Sequence, residues 1–555
     1  MFSAWKTGRW CAGFLLCAAT LAAQVYPPGP QVLTFFSDVD DSDQPYALYL
    51  PRNFETSKKY PLVISLHGAW SNHRLNLRRV FGRGNLPGET DTEATRRFPP
   101  LREVDYIVAS PYARGSMGYQ GIAEKDVLDV LADVKRRFPI DEDRVYLTGL
   151  SMGGGGTLWL GLTHPDTWAA IAAVCPAAPP GAEALAPNAL NLPVHLFHGD
   201  QDNAVPVDVS RTWNKNLANL GTGVEYIEYP GVRHNSWDLA YKDGAIFDWF
   251  AGHKRNRFPA RVRFVSQAYR YSSAYWVRLD GLTPGTLASI DARFTGRNRI
   301  EATTANLDGF TLKLEGHPSF SRRRPLVVAI DGDKLPVKPL ETLSFVKVSG
   351  AWKAGRYTPP EGAKRAGLEG PIGDAVAARH VYVYGTKGAS GEEEAERRRE
   401  VAAHAAEWST PQLKLLLTLP VSPDVEVSAA EIATSNLILF GTSETNHLIE
   451  RYAANLPLEL NPGAADYGLV FIAPVAGRYV VVNSGLPFWT GKETAKRPGL
   501  EFIDSLYKLL GGFGDFILFK GSLENVIAEG RFDRRWKLPP EDAAKIRATG
   551  AVNIR

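Results

Sequence analysis

Residues 143–156, DRVYLTGLSMGGGG, constrain the fold more than any other stretch of the 555-residue chain. A β-branched and aromatic run stops at Gly149-Leu150-Ser151-Met152-Gly153, then continues through Gly154, Gly155 and Gly156 to Leu158 and Leu160. The pattern predicts a strand, a tight turn and a helix. A serine at such a turn is forced into a strained backbone conformation. Side chains at 149 or 153 would strike the neighbouring strand or helix, so both positions need glycine. The strain lifts the Ser151 hydroxyl clear of the sheet edge. The helix behind it aims its first free N–H groups and the positive end of its dipole at the place where an oxyanion would form.

A chain of this length exceeds what one core can serve, and three units is the expectation. Hydrophobic residues at 44% and charged residues at 22% are ordinary globular values and argue against disorder on a large scale. At the start of the chain Lys6 and Arg9 precede an acid-free apolar run over residues 10–23 that ends in small residues. This predicts a signal peptide over residues 1–23, cleaved before Gln24, and a secreted or periplasmic protein. The run is short of the roughly 20 residues a membrane span needs, and Leu16 before Cys17 is too large for a lipoprotein signal. Without this segment the formal charge falls from +3 to +1, which gives no basis for a nucleic-acid or anionic-membrane partner. Cys11 and Cys17 lie within it, so Cys175 stands alone, no internal disulfide is expected, and the apolar run before it marks a buried thiol.

Residues 31–50 alternate as short strands, and Tyr60–Leu66 is a continuous apolar run suited to a parallel-sheet strand buried on both faces. It ends in His67-Gly68-Ala69-Trp70. Residues 82–100, polar and rich in Gly, Pro and Arg, read as an inserted surface loop. Residues 106–110 form the next strand. Residues 122–138 place Val127, Leu131, Val134 and Phe138 on one helix face, with Glu124, Lys125, Asp129, Lys135 and Arg136 outward. After the serine turn, residues 169–174, 194–197 and 225–229 are three more strands. The rhythm predicts an α/β unit over residues 24–258 with a doubly wound parallel sheet and its reactive groups at the carboxyl ends of strands.

Ser151, Asp202 and His234 each lie in a loop just after an apolar strand, so residues far apart in sequence can converge. A serine hydroxyl is a poor nucleophile until an imidazole takes its proton. The imidazole in turn needs an anion to fix its tautomer and stabilise its cation. Asp200 competes for the acid's place, but the spacing HG-x-x-Asp-x-x-Val-Pro favours Asp202. His234 is the one of 11 histidines that follows the last strand of this unit. A metal site on His195, His198, Asp200 and Asp202 fails, because residues 195 and 198 face opposite sides of a strand. No metal or cofactor is expected.

Residues 60–250 resemble the α/β-hydrolase group that includes prolyl-oligopeptidase-type peptidases and esterases similar to feruloyl and acetylxylan esterases and polyhydroxybutyrate depolymerases. The motifs that carry the resemblance are LHGAW, GYQGIAEKDV, DRVYLTGLSMGG, HGDQDNAVP and PGVRHNSW. It implies a triad in the chain order Ser151, Asp202, His234. It also implies an oxyanion hole from the backbone amides of Met152 and of Ala69 or Trp70, with Ala69 the motif match. His67 then shapes the loop. Trp70 and Trp237, beside these loops, are the expected substrate-binding side chains. Residues 24–59 are too few for the β-propeller that restricts prolyl oligopeptidases to short peptides. The implied function is a secreted serine hydrolase that cleaves carboxylic esters through an acyl-enzyme, on a small ester or acylated saccharide. The alternatives are a prolyl-oligopeptidase-type peptidase acting on peptides, and an inert binding protein on the same fold.

Downstream, residues 259–349 turn to short alternating strands with turns such as Asp280-Gly281 and Asp331-Gly332, predicting a small β-sandwich. Tyr269, Tyr271, Tyr275 and Trp276 there could line a carbohydrate-binding face or pack against neighbouring units. A linker over residues 350–373 leads into residues 374–540, where two strand-Gly-Thr-helix stretches suggest a Rossmann-like α/β unit. Residues 541–555 read as a tail. Nucleotide binding at residues 385–391 is not expected. The spacing fits neither a P-loop nor GxGxxG, and Glu392, Glu393 and Glu394 occupy the helix end a phosphate would need. Arg397, Arg398 and Arg399 read as a solvated helix face.

Overall fold

The computed structural model describes residues 26–408, 417–492 and 505–555; the expected signal segment lies outside them. Eight strands form the first sheet: β1 (Gly29–Ser37), β2 (Ser42–Leu50), β3 (Tyr60–Leu66), β4 (Ile107–Pro111), β5 (Ile140–Leu150), β6 (Ala170–Val174), β7 (Val194–Gly199) and β8 (Val224–Tyr229). Their order is β1-β2-β4-β3-β5-β6-β7-β8. From β4 to β8 every neighbouring pair is parallel. β3, β4, β6 and β7 are buried along their whole length, which is why they read as unbroken apolar runs. β1 and β2 depart from the all-parallel expectation. They form an antiparallel hairpin closed at Ser37 and Ser42, since so short a connection reverses the chain and leaves no room for a parallel crossover.

The first unit's helices are α1 (His73–Val80), α2 (Asp91–Arg96), α3 (Ile122–Arg137), α4 (Met152–Thr163), α5 (Asp208–Asn219) and two short ones over Trp237–Ala240 and Ala245–Ala251. α2 lies in the stretch expected to be a loop. Thr90 and Glu93 cap its start reciprocally, and the buried Arg78 guanidinium donates to Glu89 at 2.9 Å and to the Ala94 carbonyl at 2.6 Å, which fastens the segment to α1.

Strands from Arg261–Ser266 to Ala351–Ala354 make two five-stranded sheets around Ile290, Phe310, Val328 and Phe345, all fully buried. Tyr269 and Trp276 are buried. Tyr271 donates to Glu124 at 2.8 Å and Tyr275 to the Pro165 carbonyl at 3.1 Å, so these aromatics join units and form no open face. The expected linker, residues 350–373, is no free tether. Its strand Ala351–Ala354 pairs with Thr342–Val348. Lys364 is buried on Asp515 and the Phe532 carbonyl. Glu369 is buried on the amides of Tyr269 and Arg270. Buried polar and ionisable groups require such partners, and they pin the segment.

The C-terminal unit has a seven-stranded sheet in the order Val421–Pro423, His380–Tyr384, Asn436–Phe440, Arg478–Gly485, Tyr467–Val475, Phe516–Lys520, Ser522–Gly530. The first four strands are parallel and the rest antiparallel. The expected tail is folded: helix Pro540–Thr549 leads to Val552–Ile554, which pairs with Leu458–Leu460, and Ile546 and Val552 are buried. Arg398 is not solvated either. It donates to the carbonyls of Gly385, Lys387 and Thr445, while Arg397 and Arg399 pair with Glu393 and Glu396 at the surface. One hydrophobic core runs through the first and C-terminal units. Among the described residues no helix is long and apolar enough to cross a membrane.

Candidate active site

β5 stops at Leu150 and α4 starts at Met152, leaving Ser151 alone in the turn at φ 55° and ψ −118°. Its backbone is fully engaged. The Ser151 amide donates to the Val174 carbonyl at 2.9 Å, and its carbonyl accepts from the amides of Gly155 and Ala177, each at 3.0 Å. These bonds hold a conformation an isolated serine would leave. A Cβ on Gly149 would lie 2.3 Å from the Gly153 carbonyl oxygen, and one on Gly153 would lie 2.3 Å from that of Leu66. Glycine at both positions is therefore a packing requirement.

The loops after β7 and β8 bring the other two groups to this hydroxyl. His234 Nε2 lies 2.9 Å from Ser151 Oγ, and His234 Nδ1 lies 2.8 Å from Asp202 Oδ2. The Asp202 side chain is fully buried, while that of His234 is 25% exposed, so the imidazole has one side toward solvent. Asp202 Oδ1 accepts from the amides of Ala204 and Val205 at 2.8 and 2.9 Å. Burial works against its charge, but the His234 bond and these two amides outweigh it and hold the carboxyl below its ordinary range. An ionised Asp202 places the His234 proton on Nδ1, which leaves Nε2 to accept from the serine hydroxyl.

Asp200 takes another role: its carboxylate accepts from the Gly231 amide at 2.7 Å and steadies the loop that carries His234. His198 is a neighbour that the strand pattern raised only as a metal ligand. Its Nε2 lies 3.2 Å from Asp202 Oδ2, and its Nδ1 lies 2.7 Å from the Ser210 hydroxyl. Burial keeps this ring neutral to below its ordinary range, against the pull of the Val205 carbonyl and Asp202. The Cys175 thiol donates to the His234 carbonyl at 3.4 Å. Cys175, Asp202 and His234 offer ligand atoms within 4.8 Å of one another. A cation there would have to break the Asp202–His234 bond and ionise a thiol that burial pushes up to about 12, so the trio suits hydrogen bonding better than metal ligation.

The turn after β3 faces the same point. A Cβ on Gly68 would be 3.5 Å from Ser151 Cβ, and the Ser71 amide closes the turn on the Gly68 carbonyl at 3.3 Å. The Trp70 amide donates to Ser116 Oγ at 2.6 Å. The Ala69 amide has no acceptor among the described residues, and Met152, as the first residue of α4, has none within its helix. The His67 ring lies between the Gly68 and Tyr112 carbonyls at 2.7 and 2.8 Å, a loop-shaping position remote from proton transfer at the serine. Trp70 is 43% exposed. The Trp237 ring stands edge-on to His234 at 5.3 Å, with the Arg79 guanidinium 5.6 Å above it.

The sequence model of the phospholipase/carboxylesterase family matches residues 123–243, which span the serine turn, both following loops and the strands between them. Residues 26–258 carry the α/β-hydrolase fold. Among solved structures, a thermostable esterase is similar at 26% identity and a TM-score of 0.33, over 41% of this chain and 63% of that one. A Bacteroides ovatus protein assigned as a dipeptidyl aminopeptidase IV is similar at 19% identity and a TM-score of 0.32, over 41% of this chain and 36% of that one. A ferulic acid esterase from Anaeromyces mucronatus, in complex with ferulic acid, is similar at 18% identity and a TM-score of 0.31, over 41% of this chain and 95% of that one. The chain thus spans less than two thirds of the first two of these proteins.

Proposed function

We propose that the hydrolase cleaves carboxylic esters. Ser151 attacks the acyl carbon while His234 Nε2 takes its proton. The amides of Ala69 and Met152 receive the oxyanion, and the same imidazole then protonates the departing alkoxide. Water activated by His234 releases the acid and restores Ser151. Asp202 holds the tautomer and stabilises the imidazolium. The observation that carries this reading is the continuous pair of contacts, 2.9 and 2.8 Å, from Ser151 Oγ through His234 to Asp202. The carboxylesterase family match favours an ester over a peptide. Trp237, edge-on to His234, and Trp70, next in the chain to Ala69, support an apolar or aromatic acyl group, or an acylated saccharide, as substrate. The basic-then-apolar residues 1–23 support export. The paired five-stranded sheets and the parallel half of the seven-stranded sheet support reading the downstream units as a β-sandwich and a Rossmann-like unit.

The test pairs a fluorophosphonate probe with a panel of acyl esters, acylated saccharides and short peptides. Labelling of the native chain but not of Ser151→Ala, with ester turnover, is the expected result. Peptide cleavage without ester turnover replaces the reading with a peptidase. Absence of labelling replaces it with an inert binding protein.

A further inference from the structure

The segment joining β4 to α3, residues 112–121, meets the turn after β3 from behind, through hydrogen bonds to Trp70 and His67. Ala113, Arg114 and Gly115 are left-handed in succession at φ 45°, 60° and 77°, and Gly118 and Gly121 follow at 93° and 64°. A run of this kind persists only where its surroundings over-determine it. The fully buried Arg114 guanidinium anchors one end, donating to Asp126 at 2.7 Å, Asp40 at 2.6 Å and Ser37 at 2.7 Å. From there the loop reaches the oxyanion side twice. Ser116, with no exposed surface, accepts the Trp70 amide at 2.6 Å. The Tyr119 hydroxyl donates to the His67 carbonyl at 3.0 Å. Trp70 is itself left-handed at φ 57°, so the Ala69–Trp70 turn needs that acceptor to keep its shape.

The other side of the loop is held by the C-terminal unit. The buried Tyr507 hydroxyl donates to the Met117 carbonyl, next to Ser116, at 2.9 Å. A Cβ on Gly121, the N-cap of α3, would be in contact with Ala377 Cβ at 3.6 Å. We propose that the C-terminal unit braces the oxyanion-binding turn through residues 112–121, with Ser116 and Tyr507 as positioning residues. The proposal rests on the ester-hydrolase reading. Without the Ser116 oxygen the Trp70 amide loses its acceptor, and the Ala69 amide drifts from the developing oxyanion. Such a defect weakens binding of the charged transition state and leaves ground-state ester binding alone.

The test uses the full chain with Ser116→Ala and Tyr507→Phe, the second removing only a hydroxyl. It measures kcat and KM on 4-nitrophenyl butyrate, affinity for butylboronic acid, which adds to Ser151 as a tetrahedral anion, and the rate of fluorophosphonate labelling. The expected result is a fall in kcat of about 10- to 100-fold for Ser116→Ala and about 3- to 10-fold for Tyr507→Phe. KM should stay within about twofold, and boronate affinity should weaken in step with kcat. Unchanged kcat and boronate affinity in both variants overturns the brace. So does a raised KM at constant kcat, or a lowered unfolding midpoint with native boronate affinity. If the native chain is labelled yet turns over no ester, it is the ester reading that fails. The brace is then judged by labelling alone, slower in both variants if it holds and equal to native if it does not.

Discussion

Two sheet edges in this molecule start from the same arrangement and end differently. In the first unit, β5 ends in a glycine-containing turn that opens a helix; in the C-terminal unit, His380–Tyr384 and Asn436–Phe440 each run into a Gly-Thr loop that opens a helix. Gly149 and Gly385 are steric counterparts: an added Cβ would lie 2.3 Å from the Gly153 oxygen in one case and 2.0 Å from the Thr445 oxygen in the other. The difference lies in what becomes of the polar groups. In the C-terminal unit the buried Asp424 accepts from the Thr386 amide and hydroxyl at 3.1 and 2.7 Å and from the His447 amide at 2.6 Å. Lys387 donates to the Ser443 carbonyl and pairs with Glu450, and Arg398 ties three loop carbonyls together. Each group is consumed by its neighbours. At the hydrolase edge, Ser151 is strained, and His234 is fixed by Asp202 on one side and open to solvent on the other. A parallel sheet's carboxyl end offers a place for chemistry. It becomes reactive when the groups there are oriented by the protein yet left one face to spend on a substrate.

The comparison breaks first at the serine. Ser151→Ala should lower ester turnover by a factor on the order of 10⁴–10⁶ with an unchanged unfolding midpoint, and Asp202→Asn by roughly 10⁴ with a lowered one, since the fold favours the carboxylate. An Asp424→Asn control that loses comparable activity would erase the contrast between the two edges. The glycine counterparts come next. Gly153→Ala and Gly385→Ala each drive a methyl into a backbone carbonyl, and each should cost about 3 kcal/mol or more in denaturant titrations. Asp424→Ala removes the shared acceptor of two half-buried amides and should cost about 1–2 kcal/mol, read the same way, while kcat of the folded protein stays native.

The smallest effect belongs to the junction between the units. Burial, reinforced by the Asp374 charge and opposed by the Tyr269 and Arg270 amides, pushes Glu369 up to about 7 from an ordinary value of 4.5. The folded state therefore favours the protonated acid. Its contribution is complete below about 4.5 and is lost as pH rises through about 7. Unfolding free energy measured from pH 5 to 8 should fall by about 1–3 kcal/mol from this group, and Glu369→Gln should flatten that part of the curve. An equal slope in the variant would move the effect to Asp374, which burial also raises.

Much of the first unit was legible because its signals are local. Tyr60–Leu66 is a strand over the very residues of its apolar run, and α3 follows the spacing of Val127, Leu131 and Val134. The strand ends that pointed to Ser151, Asp202 and His234 are also those whose side chains meet. α2 could have been found from Thr90 and Glu93, a capping box inside a stretch that Gly, Pro and Arg made look like loop. The supposed linker and tail carried no comparable signal. Their order comes from Asp515 closing on Lys364 and from Leu458–Leu460 pairing with Val552–Ile554, partners about a hundred residues or more away.

The sequence by itself determined the elbow, because a left-handed serine between two glycines is a matter of steric volume within a few residues. It also determined the strand end that holds the acid, because the burial of β7 on both faces leaves an apolar record. β8, before the base, carries Glu225 and Glu228, is nowhere fully buried, and was found by its place as the last strand of the unit. Only the tertiary structure decided that Asp200, the rival the spacing set aside, steadies a loop, that His198 backs the carboxylate, and that Ser116 and Tyr507 reach the oxyanion turn. Those outcomes depend on differences of an ångström or less between groups on separate elements, and a hydrogen bond's sharp dependence on distance and angle has no counterpart in residue spacing.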